Sequence, residues 1–101
     1  MEKLTRILVK QIIDSELAVS SDRADILFVF LKDVLERNEK IELSFESIDF
    51  LLTVFVNDSI GKLYEYFPAD QIENIVIVNA EKSILDTIER VKRKSREFYN
   101  K

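Results

Sequence analysis

Short β-type runs separated by long helical stretches leave this chain few ways to fold. Ile41-Glu42-Leu43-Ser44-Phe45 alternates apolar and polar residues with the period of a strand, and Ile75-Val76-Ile77-Val78 is a continuous β-branched run. Leu4, Ile7 and Val9 open the chain in the same style and predict a strand over 4–10. Glu16-Leu17-Ala18-Val19 is a second short strand or the approach to a helix. Apolar residues at helical spacing predict helices over about 22–37, 53–67 and 80–99. Parallel strands need crossovers of about a dozen residues or more, whereas hairpins need tight turns. One Gly and one Pro supply few such turns. The prediction is an α/β fold in a single small domain over residues 1–101. It has a mixed, mostly parallel four- or five-stranded sheet and three packed helices on right-handed crossovers.

Local signals place the boundaries. Ser20-Ser21-Asp22 offers side-chain oxygens to the free N–H groups of a starting helix. Asn38-Glu39-Lys40 reads as a turn, and 46–52 as a loop held by the apolar pair Ile48 and Phe50. Thr53 is placed to cap the next helix, and Pro68 to end it. The run 75–78 suits a strand covered on both faces, and Asn79 is placed to cap the last helix.

At 100° per residue, Ala24, Leu27, Phe28, Leu31, Val34 and Leu35 share the core face of the first helix. Ile26, Val29 and Phe30 point the other way. Burial under a neighbouring segment or a dimer stripe would account for them. In the second helix Val56, Ile60, Leu63 and Phe67 form the core stripe, flanked by Phe55 and Tyr66. Val54, Asn57, Asp58, Gly61 and Glu65 lie opposite. Gly61 is the only glycine and costs about 1 kcal/mol of helix propensity relative to Ala. Close approach of another backbone, within the fold or from a partner, would offset it. The last helix is an ordinary amphipathic packing helix.

The sequence excludes much chemistry. It has neither Cys nor His, so it lacks disulfides, thiol nucleophiles, the commonest general base and the commonest metal ligand. No spaced carboxylate motif suggests a metal, and there is no Gly-rich phosphate loop. No apolar run reaches the roughly 20 residues that span a bilayer, and no signal peptide is visible, so the expected location is cytoplasmic, without a membrane. Residues 1–80 hold 8 basic and 15 acidic side chains, and residues 81–101 hold 7 and 4. The late basic residues oppose a helix dipole, and nucleic acid is not expected as a partner.

The stretches LSFESIDFL, TVFVNDSIGKLYEYF and IVIVNA, with SSDRADILFVFL before them, resemble the STAS-like domains of unknown function found in bacteria. The resemblance covers about residues 18–80. It implies a fold similar to anti-sigma-factor antagonists and a regulatory role in protein–protein interaction. Antagonists dock onto a kinase-like anti-sigma factor through the turn and helix after the central strand. Their Asp-Ser-Ser-Gly pattern falls here on Leu52, Thr53, Val54 and Phe55. The Asp is absent and the usual phosphoacceptor position is Val54, which leaves Thr53 as the candidate phosphoacceptor. Asn57, Gly61, Lys62 and Leu63 fit the STAS-like pattern better.

Three functions compete. The first is a non-catalytic partner-binding module presenting Thr53, Val54, Asn57, Asp58 and Gly61 to a protein such as a kinase-like ATPase or another regulator. The second is an enzyme or nucleotide binder at the carboxyl ends of the strands, near Asp14, Glu46 and Asp49. The third is a homodimeric assembly protein joined through Ile26, Val29 and Phe30. The first is the expectation, with no cofactor and no metal.

Overall fold

The computed structural model describes residues 3–99; the predicted domain limits, 1 and 101, lie outside them. In chain order the elements are β1 (Leu4–Leu8), α1 (Val9–Ile13), β2 (Leu17–Ala18), α2 (Ser21–Glu36), β3 (Lys40–Ser44), β4 (Phe50–Leu51) and α3 (Thr53–Asp58). A 3-10 helix, η1 (Gly61–Glu65), follows, then α4 (Ala69–Glu73), β5 (Val76–Val78) and α5 (Lys82–Tyr99).

The alternating strand β3 is central, with β1 and β5 on either side and both pairings parallel. Leu43 stands opposite both Ile7 and Ile77. The strands step across the sheet in chain order, so right-handed crossovers carry α2 and α3–η1 to the same face. Burial agrees: Ile7, Ile41, Leu43 and Phe45 are buried, while Leu4, Arg6, Lys40 and Val76, on the other face, are exposed. The run 75–78 is therefore not covered on both faces. Its β-branched residues form a short edge strand with one face in water.

The five strands divide into two sheets. β2 and β4 form a separate parallel pair with Leu17 opposite Phe50 and Ala18 opposite Leu51. Each is preceded by a residue in the left-handed region, Asp14 (φ 53°) before β2 and Ser47 (φ 63°) before β4. These bends turn the chain off the main sheet.

α2 follows its sequence pattern. Ser20 Oγ accepts the Arg23 N–H at 3.2 Å, and all six residues of the expected core face are buried. Other elements depart from theirs. The predicted strand 4–10 stops at Leu8. Val9 and Ile13 stand one helical turn apart in α1, both buried, so apolar residues that look β-type are helically spaced. The predicted helix 53–67 breaks at Ser59. That side chain is fully buried and donates to the Phe55 carbonyl at 2.7 Å, a local bond that competes with the helix ladder. The chain resumes as η1; Phe55 before the break is fully buried, while after it Phe67 is half-buried and Tyr66 exposed. Tyr66 packs on Phe28 with ring centroids 5.6 Å apart, and Lys62 Nζ sits 4.7 Å from the Phe28 ring. After Pro68 the short α4 buries Ile72. Asn79 does not cap α5. It adopts φ 54° and donates to Ser44 Oγ at 3.0 Å, and the helix begins three residues later.

A charged knot fixes α5 to the rest. Glu73 of α4 accepts from Lys92 Nζ at 3.1 Å, Arg96 at 2.8 Å and the Tyr64 hydroxyl at 2.9 Å. Burial first, and the Glu73 hydrogen bond second, push the Tyr64 hydroxyl above its ordinary value.

Candidate functional site

The small β2–β4 sheet has two unlike faces. Side chains alternate along a strand, so Ala18 and Leu51 point one way while Leu17 and Phe50 point the other. Ala18 is fully buried and Leu51 packs against the core. Leu17 is 48% exposed and Phe50 63%. Leu52, two residues beyond Phe50, donates its N–H to the Ala18 carbonyl at 3.0 Å and keeps its side chain 45% exposed. Val54, in the first turn of α3, is 42% exposed. Leu17, Phe50, Leu52 and Val54 form an apolar strip that runs from the sheet onto the start of α3.

The residues expected to meet a partner divide around this strip. Thr53 is exposed, but it is the first residue of α3. Leu52 is the N-cap, and no side chain caps the helix, so the expected Thr53 cap is absent. Thr53 Oγ1 instead accepts from Arg90 at 3.3 Å. Val54 and Asn57 are exposed; Asp58 is half-buried and accepts from the Ser21 hydroxyl at 2.8 Å. Gly61 is buried beneath Val91 and Ser95 of α5 and cannot be presented to a partner. Its close neighbour lies within the fold. Ile26, Val29 and Phe30 are exposed together on the outer side of α2.

Leu17, Phe50 and Leu52 were not among the expected site residues, although the sequence carried a signal. Phe50-Leu51-Leu52 is a run of three apolar residues, and strand geometry sends the middle one opposite to its neighbours. The expected anchor pair Ile48 and Phe50 is split for a related reason. Ile48 is buried in the turn after Ser47, where strand alternation does not yet apply, and Phe50 points to solvent.

Asp14 and Glu46 do come together at the carboxyl ends of β1 and β3. They line an open hollow of about 690 Å³ with Lys10, Glu16 and Leu17. Lys10 pairs with Glu16 at 3.2 Å, and its hydrogen bond and charge hold the Glu16 carboxyl below its ordinary value. Asp49 lines a smaller hollow of about 240 Å³ with Phe50 and Glu81, and its side chain reaches the Glu16 carboxyl. Among the described residues no group of three His, Cys, Asp or Glu side chains could hold a metal ion.

The model of the family described as STAS-like domain of unknown function (DUF4325) matches residues 24–95. The chain belongs to this family. The match runs from the first turn of α2 to the last turns of α5, and so takes in the whole strip except Leu17. β1 and β2 precede it, and this STAS-like domain uses them to complete both sheets. No curated protein and no solved structure matches the chain. Among its described residues no helix is long and apolar enough to cross a membrane.

Proposed function

We propose that this STAS-like domain is a non-catalytic, regulatory protein-interaction module. A protein partner docks on the outer face of β2–β4 and the first turn of α3. The carrying observation is the strip Leu17, Phe50, Leu52 and Val54: Leu17 and Phe50 are register partners, Leu52 and Val54 follow Phe50 at alternate positions, and all four large apolar residues are exposed. Contiguous exposed apolar surface marks interaction sites in soluble domains. The strip includes the turn through which, by resemblance, anti-sigma-factor antagonists dock, and Thr53 and Asn57 border it on α3. A nucleotide at the carboxyl ends of the strands is disfavoured. Asp14, Glu16 and Glu46 face that hollow, and Glu16 already holds its Lys10.

Phe50→Ser tests the reading. The side chain is mostly in water, so the variant folds with stability within about 1 kcal/mol of wild type. Wild type and variant are compared as bait in host lysate. A prey protein lost with Phe50→Ser is the expected result; identical prey lists would sink the reading.

The Ile26, Val29 and Phe30 stripe favours a second reading, a homodimer through α2. Solution mass at several concentrations decides it. Under this reading wild type shows a concentration-dependent mass and Phe30→Glu stays monomeric. A wild type that is monomeric throughout removes it.

A further inference from the structure

We infer that the occupant of the strip is a peptide segment in which apolar anchor residues are flanked on both sides by Lys or Arg. This inference rests on the docking reading above and adds the chemistry of the partner. Leu17 and Phe50 are register partners, and each borders a different hollow. On the β2 side, Leu17 shares its hollow with Asp14, Glu16 and Glu46. On the β4 side, Phe50 shares its hollow with Asp49 and Glu81. The two acidic groups meet beneath the ridge, where the Asp49 N–H donates to the Glu16 carbonyl at 2.9 Å. Among the described residues Lys10 is the only cation lining either hollow, and Glu16 pairs with it. The apolar ridge is therefore bordered by Asp14 and Glu46 on the Leu17 side and by Glu81 on the Phe50 side, with Glu16 and Asp49 together beneath it.

Clefts lined by one sign of charge beside low-dielectric walls focus the field and select partners of the opposite sign. An apolar side chain laid across Leu17 and Phe50 places its neighbours in the chain over the two hollows. Lys and Arg suit those positions, since their apolar stems cover the ridge while their heads reach the carboxylates. An acidic or phosphorylated segment meets the wrong sign on both sides.

The test uses the full chain and a displayed library of random linear peptides. Peptides are selected on wild type and then measured on wild type, on Phe50→Ser and on the triple variant Glu46→Gln/Asp49→Asn/Glu81→Gln. All three side chains of the triple variant belong to exposed residues, and matching thermal midpoints check that the variants are folded. The expected peptides carry Lys or Arg on both sides of an aromatic or branched aliphatic residue. Their affinity falls about tenfold in the triple variant and falls as salt is raised. They fail to bind Phe50→Ser. Peptides that need Phe50 but lack basic residues, or that bind the triple variant as tightly as wild type, overturn this inference and leave the docking reading standing. Peptides indifferent to Phe50→Ser overturn both. Recovery of no peptide overturns the inference.

Discussion

A methyl group on Gly61 would lie 2.8 Å from Ser95 Oγ and 3.1 Å from Val91 Cγ1. Contact with α5, and not an unusual backbone angle, therefore fixes the one glycine of the chain. Two effects oppose each other in Gly61→Ala. The added methyl gains about 0.4–1 kcal/mol by restricting the unfolded chain, and overpacking a tight contact costs about 1–3 kcal/mol. The expected net is destabilisation of up to about 2 kcal/mol by urea unfolding. In a Ser95→Ala background the nearest clashing atom is gone, and the same substitution costs much less. An equal cost in both backgrounds would disprove the contact argument.

The knot around Glu73 gives a second asymmetry. Lys92 is almost fully buried, whereas a third of the Glu73 side chain is in water. Removing the carboxylate strands a buried cation, a change that costs about 3–5 kcal/mol when both groups are enclosed. Solvent access to Glu73 lowers this to about 1–2 kcal/mol for Glu73→Gln. Lys92→Met removes the buried charge itself and fills the same space, so it is expected to be neutral within about 1 kcal/mol. Denaturant midpoints of the two variants give the comparison.

The same carboxylate sets a pH dependence. Burial alone would raise Glu73, but hydrogen bonds from Lys92 and Tyr64 and the charges of Lys92 and Arg96 outweigh it. They hold the group below its ordinary 4.5. A depressed carboxylate contributes its full stability above the unfolded value and loses it as pH falls through the folded one. Wild type should therefore lose stability as pH drops below 4.5, and the gap between wild type and Glu73→Gln should close over that range. A gap that widened toward acid would contradict the assignment.

Ser20 supplies the one side-chain cap seen at the start of a helix among the described residues, at 3.2 Å from the Arg23 nitrogen. Ser20→Ala is expected to cost about 1 kcal/mol, and Ser20→Asp to retain most of the stability. Thermal unfolding of the three proteins distinguishes loss of the cap from a general effect of substitution at this position.

Where one period ruled a long segment, the sequence was easily read. α2 has sixteen residues and a sustained stripe, and its six expected core positions are all buried. β3 alternates as written. The candidate site was harder because its elements are short. β2 and β4 are two residues each, too brief for a period to show, and their directions depend on Asp14 and Ser47, neither of them a glycine. The break after α3 was hidden because Ser59 is a small residue within a convincing helical stripe, and the stripe does not show that its hydroxyl turns back onto the Phe55 carbonyl. Gly61 was visible as an anomaly, but only the position of α5 shows which neighbour it serves.

The order of the main sheet, β1 then β3 then β5, has a consequence for how the domain is assembled. Each strand is added to the outside of the last, and none has to be threaded between two already joined. As the chain leaves the ribosome, β1, α2 and β3 can pair before β5 has been made. α5 follows all the strands in the chain, so the helix that covers Gly61 is made only after the sheet it packs beside.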